Sequence, residues 1–450
     1  MNYAPDYIRD TIVAAATPPG KGGIGIVRVS GPDTEAIAER ILPALPKPRF
    51  ATRAEFVDGN NETIDSGLAL YFPAPHSFTG ESVLELHGHG GPTVMALLVD
   101  ALTALGARRA EPGEFSQRAF LNGKLDLAQA EAIADLIDSG TAQAARAAHR
   151  SLSGVFSKAV DALAEQVVQL RLHVEAAIDF PEEEIDFLSD TALLSKIDDC
   201  RDAFDVLQKE TSIGRILRDG LQIVIVGKPN AGKSSLLNLL SGQDAAIVTE
   251  VAGTTRDILR EQIDIDGLAV ELVDTAGLRD DPDTIEAEGI RRARRALAAA
   301  DAALWIQDAS DAEAALGDQA FPQDVPVIVL RNKIDLTGEK AGVVTEDPLV
   351  LNISAKSGAG TAELNRAIRD IAGYKDLGEG AFTARKRHVV LLRKAAEHFA
   401  RGQRALEESK AGELFAEELR LAQEALGLIT GEVSSDDLLG RIFAEFCIGK

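Results

Sequence analysis

The segment that most constrains this chain is a glycine-rich octapeptide, Gly227-Lys-Pro-Asn-Ala-Gly-Lys-Ser234. It follows an apolar run at Gln222–Val226 and precedes helix-forming residues at Ser235–Leu240. The pattern G-x-x-x-x-G-K-[ST] between a strand and a helix predicts a loop whose backbone N–H groups surround phosphate oxygens at a helix N-terminus. Lys233 would place its charge near the β- and γ-phosphates, and Ser234 would offer a hydroxyl to Mg²⁺. The loop therefore predicts a nucleotide-binding α/β domain.

Two further segments supply groups for the γ-phosphate and for Mg²⁺. Asp274-Thr-Ala-Gly277 ends the apolar run Ala269–Val273, so its aspartate would reach Mg²⁺ through water and its glycine would turn an N–H toward the γ-phosphate. Gly253-Thr-Thr-Arg-Asp257 is interpreted as the switch segment, with Thr255 as a Mg²⁺ ligand. Leu278 stands where many such GTPases carry a glutamine that orients the attacking water. Another group must therefore position that water.

Two later motifs indicate which base is bound. Asn332-Lys-Ile-Asp335 follows the run Val325–Leu330, and a carboxylate at Asp335 can accept both the N1–H and the 2-amino N–H of guanine, a donor pair that adenine lacks. Ser354-Ala-Lys356 follows the run Leu349–Ile353, where a backbone N–H can hold guanine O6. The order of these motifs beside their strands predicts GTP as the substrate and resembles the Ras-like GTPase superfamily.

Asn230, within the phosphate loop, offers a way to neutralise charge during hydrolysis. Its side-chain carbonyl could ligate a monovalent cation beside the phosphates, where an arginine finger acts in other GTPases. The alternative is that this side chain only stabilises its own loop. If no cation takes part, Arg256 acting in trans is the remaining candidate.

The nucleotide-binding block lies inside helix-forming sequence. Before it, residues up to 123 alternate short strand-like runs with helical patterns and Gly/Pro turns, which is typical of an α+β domain. The expected strands there are Ile24–Val29, Gly67–Phe72 and Val83–His89, and the expected helices are Thr34–Ile41 and Val94–Leu105. Helical periodicity covers residues 125–178, 193–218 and 386–428. We expect domains at 1–123, 124–219, 220–375 and 376–450, the third being an α/β domain inserted into an all-α one.

Composition narrows the function classes. With 47 Lys and Arg against 71 Asp and Glu, the net charge of −24 argues against a general nucleic-acid coat protein, although a local basic patch stays possible. No apolar run reaches the roughly 20 residues of a membrane span, and we expect no membrane association. The two cysteines, Cys200 and Cys447, are too few for a disulfide framework, which favours the cytoplasm.

Longer strings resemble one family, the MnmE (TrmE) family of tRNA-modification GTPases, over nearly the full length. They are DTIVAAATPPG at 10–20, GGIGIVRVSG at 22–31, EPGEFSQRAFLNGKLDLAQAEAIAD at 111–135 and FCIGK at 446–450. The resemblance implies an N-terminal tetrahydrofolate-binding and dimerisation domain, a helical domain and an inserted G domain. It also implies a homodimer that forms a heterotetramer with MnmG, a protein that uses FAD and NADH. Together they install an aminomethyl or carboxymethylaminomethyl group at C5 of the wobble uridine, U34, of certain tRNAs.

The resemblance further implies cofactors and their residues. Hydrolysis is expected to need Mg²⁺ at Ser234 and Thr255, and K⁺ at Asn230, Thr249, Val251 and Thr254. A tetrahydrofolate derivative, 5-formyl- or methylene-tetrahydrofolate, is expected at Arg28, Glu85, Lys124 and Lys450. Glu286 is the expected water-orienting residue, beside Lys233 and Arg256 as catalytic candidates. The complete expected GTP-binding set is Asn230, Ala231, Gly232, Lys233, Ser234, Ser235, Thr249, Glu250, Val251, Ala252, Gly253, Thr254, Thr255, Asp274, Thr275, Ala276, Gly277, Asn332, Lys333, Asp335, Ser354, Ala355 and Lys356.

Several alternatives stay open at this point. Glu85, His87 and His89 share one face of a predicted strand and could bind a metal instead of folate. Cys447 could be catalytic. The basic clusters Arg291–Arg295 and Arg385–His388 could touch tRNA phosphates or be solvated helix faces. The protein could also be a GTP-switched RNA-binding or ribosome-assembly factor, or a mechanical scaffold moved by the nucleotide. The nitrogen donor, ammonia or glycine, and the stoichiometry of the complex are likewise open.

Overall fold

The computed structural model describes residues 10–179, 191–228, 230–243, 260–274, 297, 300–311, 325–373, 380–432, 436–444 and 446–449. The chain forms two compact units, one from residues 1–134 and 423–450 and the other from residues 135–422. The four-segment division expected from the sequence stays a prediction. No helix in the described ranges combines the length and the apolar character needed to cross a membrane.

The strands and helices of the described ranges have the following limits. The strands are β1 Ile12–Ala15, β2 Gly22–Ser30, β3 Thr52–Val57, β4 Thr63–Phe72, β5 Val83–Gly90, β6 Arg108–Arg109, β7 Leu221–Gly227, β8 Arg260–Ile265, β9 Leu268–Asp274, β10 Ala302–Asp308, β11 Val327–Asn332, β12 Gly342–Glu346 and β13 Leu349–Asn352. The helices are α1 Thr34–Ile41, α2 Pro92–Ala104, α3 Glu114–Leu121, α4 Leu127–Ile137, α5 Ala142–Leu152, α6 Val155–Asp179, α7 Thr191–Asp219, α8 Lys233–Gln243, α9 Ile334–Thr337, α10 Thr361–Ile371, α11 Lys386–Ser409, α12 Gly412–Thr430 and α13 Asp436–Ala444.

In the first unit, the six described strands form one sheet in the order β3-β4-β5-β2-β1-β6, in which only β1 and β6 pair in parallel. Helices α1 and α2 pack on this sheet. On β2, Val27 and Val29 belong to the core between the sheet and these helices. Because side chains alternate along a strand, Arg28 projects from the opposite face. Its partner in the register is Glu85 of β5, so the fold places two of the predicted folate residues side by side.

A buried network of charges holds α3 against the sheet. The guanidinium of Arg118 is 1% exposed and donates to Asp10 at 2.6 Å, to Glu114 at 2.8 Å and to Glu81 at 3.2 Å. Arg108 also binds Glu114, at 2.6 Å. Burial alone would raise the pKa of Glu114, but hydrogen bonds from Arg108, from the Glu111 N–H and from Arg118 lower it below its usual value. The buried charges are therefore paired, as burial in a low dielectric requires.

In the second unit, the described strands form the sheet β12-β13-β11-β10-β7-β9-β8. The five strands between the edges pair in parallel, and the edge strands β8 and β12 pair antiparallel to their neighbours. On β7, Ile223 and Ile225 pack in one core with Leu236 of α8, whereas Val224 packs in a second core with Ala303. Both faces of the sheet are thus covered, which confirms the predicted α/β domain with a mostly parallel sheet.

Two segments connect this sheet to the helices of the same unit. The first is the end of α7, where Gly220, with φ 82°, turns the chain into β7. The second is the stretch before α11. The buried carboxylate of Asp135 accepts a hydrogen bond from Arg218 Nε at 2.8 Å and one from Arg385 Nη2 at 2.8 Å. One acid residue therefore fixes both connections.

The Arg118 network generates a stability prediction. Arg118→Ala leaves the carboxylates of Asp10, Glu81 and Glu114 without their shared partner, and removing one partner of a buried ion pair costs about 3–5 kcal/mol. We expect the amides of β1 and β2 to lose protection from hydrogen exchange by about 10²–10³-fold in the full chain. Peptide-resolved exchange mass spectrometry measures this loss.

Arg109→Ala is the matched control. Arg109 pairs with Asp100, but the two side chains are 66% and 62% exposed, and exposed ion pairs contribute at most about 1 kcal/mol. Equal protection of β1 and β2 in the two variants would show that the buried network does not stabilise this part of the sheet.

Candidate nucleotide-binding site

The predicted nucleotide motifs meet at one edge of the parallel sheet. Gly227, Asp274, Asp308 and Asn332 are the last residues of β7, β9, β10 and β11, and the carboxyl ends of parallel strands lie on the same side. The chain passes from β7 to β9 on one flank and then returns to β10 on the other. Ligands of open α/β sheets bind at such a reversal, beyond the carboxyl ends of the strands.

The loop after β7 has the backbone that an anion site needs. Asn230 and Gly232 have φ of 65° and 103°, conformations that turn the chain back toward the start of α8. A Cβ on Gly227 would lie 2.4 Å from the carbonyl oxygen of Ile306, so glycine is required where the loop leaves the sheet. The ammonium of Lys233 donates to the carbonyls of Gly227 at 2.8 Å and of Lys228 at 2.9 Å. The loop thus curls around the lysine and the helix N-terminus.

The second half of the loop is tied to the base-side motifs by Asn332. Its Nδ2 donates to the carbonyl of Ala231 at 2.8 Å, and its Oδ1 accepts the N–H of Ala355 at 2.9 Å. The Asn332 side chain lies so close over the loop that a Cβ on Gly232 would be 2.1 Å from Nδ2. Asn332 is 2% exposed, so it joins the two loops from within. No local sequence pattern indicates this role.

The base side is ordered by one further contact. The Ser354 hydroxyl donates to Asp335 Oδ1 at 2.7 Å, and Ser354 is fully buried. This contact orients the Asp335 carboxylate, which is exposed in the first turn of α9. The structure therefore brings together the two motifs predicted to bind guanine, and Lys356 is exposed beside them.

Asp308 is a residue of this edge that the sequence analysis missed. Lys333 has φ 71°, and its Nζ donates to Asp308 Oδ2 at 2.7 Å. That hydrogen bond, with further ones from the Ser310 hydroxyl and N–H, lowers the pKa of Asp308 to about 2. The signal that could have revealed it is an acid two residues after the apolar run Ala302–Ile306, at a strand end equivalent to that of Asp274.

Ser234 and Ser235 are exposed at the start of α8, where the predicted Mg²⁺ ligand would stand. Asn230 is exposed too, and its side chain forms no hydrogen bond with any residue in the described ranges. The remaining predicted residues of this site lie outside the described residues. They are the side chain of Asp274 and residues Thr249, Glu250, Val251, Ala252, Gly253, Thr254, Thr255, Arg256, Thr275, Ala276, Gly277 and Glu286.

The predicted folate residues gather around one loop of the first unit. Arg28 Nε donates to Glu85 Oε1 at 2.9 Å, and its guanidinium lies 5.7 Å from the ring centres of Phe78 and Phe115. Lys124 Nζ donates to the carbonyl of Pro75 at 2.9 Å, so it holds the loop that carries Phe78. Lys450 lies outside the described residues.

A metal site at Glu85, His87 and His89 of β5 is not supported. In the described ranges, no group of three or more His, Cys, Asp or Glu is placed to hold an ion. His87 instead contacts Glu85 at 3.2 Å, and His89 contacts Asp65 at 2.8 Å. Burial raises the pKa of the Cys200 thiol to about 12, which makes it unreactive, whereas Cys447 is exposed.

The first unit also contains a cavity of about 710 Å³ between β1, the loop at residues 17–22 and α2. Ile448 contributes to its lining, but Arg28, Glu85 and Lys124 do not. The cavity and the Arg28–Glu85 pair are therefore separate features of the unit.

Two family models and several curated relatives match nearly the whole chain. A family model for the N-terminus of the GTP-binding protein TrmE matches residues 11–124, and one for the MnmE helical domain matches residues 127–447. The tRNA modification GTPase MnmE of Stutzerimonas stutzeri (strain A1501) is 54% identical over 451 residues, 98% of this chain and 99% of that protein. That of Proteus mirabilis (strain HI4320) is 52% identical over 450 residues, with the same coverage.

Among solved structures, the G domain of the T. maritima FeoB iron transporter covers 34% of this chain and 98% of its own length. Its identity to this chain is 23% and the TM-score is 0.26. The full-length matches at over 50% identity, together with the two family models, are decisive. The chain belongs to the MnmE family of tRNA modification GTPases.

Proposed function

We propose that this chain is a K⁺-dependent GTPase that works with the flavoprotein MnmG, which uses FAD and NADH. The pair would install an aminomethyl or carboxymethylaminomethyl group at C5 of the wobble uridine U34 of certain tRNAs. The names of the relatives support the tRNA part of this proposal. The observation that carries the GTPase part is Asn332, which joins the phosphate loop at Ala231 to the guanine-side loop at Ala355.

Hydrolysis of GTP needs positioned phosphates and compensation of negative charge. The loop at residues 227–232 and the N-terminus of α8 supply N–H groups and a positive dipole, and Lys233 supplies a point charge. Ser234 is exposed at that N-terminus, and with Thr255 it would hold the Mg²⁺ that neutralises the β- and γ-phosphate oxygens. Glu286 would orient the attacking water, because Leu278 has no hydrogen-bonding group.

The exposed Asn230 favours the cation interpretation over a loop-stabilising one. A side chain that stabilised its loop would hydrogen-bond within it, and Asn230 makes no such bond to the described residues. Its amide oxygen is therefore available for K⁺, and Thr249, Val251 and Thr254 would supply the other ligands. The cation would offset the charge that builds up in the transition state, as an arginine finger does elsewhere.

The Arg28–Glu85 pair suits a tetrahydrofolate derivative, either 5-formyl- or methylene-tetrahydrofolate. Glu85 is a carboxylate that can accept from the N–H groups of a pterin ring, while Arg28, Lys124 and Lys450 can donate to carbonyl or carboxylate oxygens. Phe78 and Phe115 flank the guanidinium at 5.7 Å, which adds apolar surface for a flat ring system. When bound, the folate would supply a one-carbon unit for the modification.

The assembly and location follow the same proposal. We propose a homodimer formed through residues 1–123, a heterotetramer with MnmG, and a cytoplasmic location, with tRNA as the substrate of the complex.

Asn230 gives the first test. Wild-type protein should hydrolyse GTP faster in KCl than in NaCl at equal ionic strength, by on the order of 10²-fold. Asn230→Ala should remove most of this difference and keep measurable GTP binding, because Lys233 and the loop amides remain. Steady-state phosphate release in the two salts is the measurement. Asn60→Ala, an exposed asparagine in the first unit, is the control and should behave as wild type. Equal wild-type rates in the two salts would refute the cation mechanism and return attention to Arg256.

Asp335 gives the second test. Asp335→Asn should weaken GTP binding about 10- to 100-fold, because a charged acceptor worth about 1.5–3 kcal/mol becomes an amide. The new N–H can donate to the C2 carbonyl of xanthine, so XTP binding should improve. Equilibrium titration with both nucleotides measures the exchange of preference. Asp266→Asn, in the turn between β8 and β9, is the matched control. Unchanged GTP affinity in Asp335→Asn would reject guanine recognition at this residue.

The third test addresses the modification itself. A strain lacking the gene should lose the C5 group at U34, and the wild-type gene should restore it, as measured by mass spectrometry of tRNA nucleosides. Arg28→Ala should fail to restore it because the folate contact is lost, yet the purified variant should keep K⁺-stimulated GTP hydrolysis. Normal U34 in the deletion strain would contradict the proposed function. Restoration by Arg28→Ala would contradict only the folate site.

A further inference from the structure

Helix α11 carries a positive charge that contrasts with the rest of the chain. Between residues 386 and 404 it contains six Lys and Arg and a single acid, Glu397, in a protein with a net charge of −24. The cluster predicted from the sequence, Arg385–His388, is only partly at the surface. Arg385 and His388 are buried, with 8% and 2% exposure. The surface charge therefore lies further along the helix.

The packing of α11 decides which of its residues face outward. Leu392, Ala395, Phe399 and Leu406 are buried on one side, and the helix packs against α7. At about 100° per residue, Lys386, Arg393 and Arg404 fall on the opposite side, with Lys394 next to Arg393. All four are exposed. We name these four residues the basic face; at 1.5 Å per residue they span about 27 Å of helix.

Acids lie near the basic face, with Glu407 and Glu408 one turn after Arg404, but none in the described ranges forms an ion pair with it. Lys386, Arg393, Lys394 and Arg404 form no ion pair there. Other basic residues of the same unit are paired. Examples are Arg201 with Asp198, Arg331 with Glu339, and Arg420 with Glu417. Glu397 lies one turn after Arg393 and Lys394 but is bonded to neither.

The first turn of α11 is also positively charged. Its first turn contains Lys386 and Arg387 and no acidic residue. Positive charges at a helix N-terminus oppose the helix dipole and lower helix stability. The positive charge at this end is therefore not explained by helix stability, and Lys386 of the first turn belongs to the basic face.

The composition of this surface favours phosphates over a protein partner. Protein interfaces concentrate aromatic residues at their centre, and α11 exposes no aromatic side chain along its fully described length; its largest exposed apolar residue is Val390, 55% exposed. Nucleic-acid backbones are instead bound by Lys and Arg on polar surfaces. A rigid row of positive charges therefore fits the phosphate backbone of an RNA.

We propose that the basic face of α11 binds phosphates of tRNA and positions the substrate on this chain. The inference rests on the proposed function and names the surface by which this chain contacts the RNA. Because the contacts are to the backbone, the surface contributes affinity without reading base sequence.

The test uses the full chain and fluorescently labelled unfractionated bacterial tRNA. The variant replaces all four residues by glutamine, Lys386→Gln, Arg393→Gln, Lys394→Gln and Arg404→Gln. Binding is followed by anisotropy between about 50 and 200 mM salt. With four phosphate contacts removed at about 0.7–0.9 ions each, the slope of log K against log salt should fall by about 3, and affinity should drop tenfold or more.

Two matched controls separate the basic face from charge in general. One removes four exposed positive charges elsewhere, Arg40→Gln, Lys47→Gln, Arg53→Gln and Lys158→Gln, and should bind as wild type does. The other exchanges Lys for Arg and Arg for Lys at the four positions and should keep most of the affinity. K⁺-stimulated GTP hydrolysis, unchanged in every variant, confirms that each protein is folded. If the fourfold variant loses that activity, Arg393→Gln with Lys394→Gln is measured instead, with half the expected change in slope.

Three results would overturn the proposal. The first is equal tRNA affinity in the wild type and the fourfold variant. The second is no tRNA binding by a wild-type chain that hydrolyses GTP. The third is tighter binding of polyglutamate than of tRNA to the same four residues, which would assign the surface to an acidic protein. None of them decides the proposed function, because mass spectrometry of U34 in the deletion strain reports on that independently.

Discussion

The loops at the carboxyl ends of the parallel strands are held together by one buried side-chain amide. Asn332 uses its donor on the phosphate loop and its acceptor on the guanine-side loop, at 2.8 and 2.9 Å. Because an unsatisfied polar group in the interior costs free energy, neither loop can shift without breaking a bond that water cannot easily replace. Gly232 is part of the same constraint, since any Cβ there would occupy the position of the Asn332 amide. The loops proposed to bind the phosphates and the base are therefore joined by the fold itself.

In the first unit, ion pairs accommodate the charged side chains that lie near the sheet. Its sheet has one face covered by α1 and α2, so polar residues on the other face must be paired or used. Arg118 of α3, the helix that packs against this face through Phe115, shows the first solution, with three acids around one buried guanidinium. Arg28 and Glu85 show the second, because their pair is partly exposed, at 23% and 16%, and is flanked by aromatic rings. The alternation of side chains that directs Val27 and Val29 into the core thus places Arg28 and Glu85, which we propose bind folate, on the other face.

Regular periodicity made much of this fold predictable. Helix α1 has the predicted limits, and β2, β4 and β5 contain the predicted strands, because their apolar residues recur at the period of the element. The strands β1, β3 and β6, and the edge strands β8 and β12, were not predicted. They are short or lie at a sheet edge, and β6 depends on a parallel pairing with β1 that no local pattern encodes. The long helical stretch after Leu125 is divided, since Thr141 caps α5 and Gly154, with φ 83°, separates α5 from α6.

The residues of the candidate site were likewise predictable only where a local sequence pattern marks them. Its motifs were recognisable because glycine, lysine and aspartate at fixed spacing have few other uses. The tie made by Asn332 and the Lys333–Asp308 pair could not be found this way, because both join residues more than twenty positions apart in the chain. Burial of Arg385 and His388 was equally hidden, since a run of basic residues has the same sequence whether it binds a phosphate or an internal carboxylate. Tertiary contacts, rather than local pattern, decide such cases.

The carboxylate of Asp135 has a mechanical consequence. Since it binds both Arg218 and Arg385, the two connections to the parallel sheet share a single fulcrum. Helix α7, with 29 residues, extends about 43 Å from that point at 1.5 Å per residue. A rotation of about 10° at the fulcrum would carry the far end of a rigid helix of that length through about 7 Å. A small rotation at this connection would thus be amplified along α7 by leverage, with no need for any element to unfold.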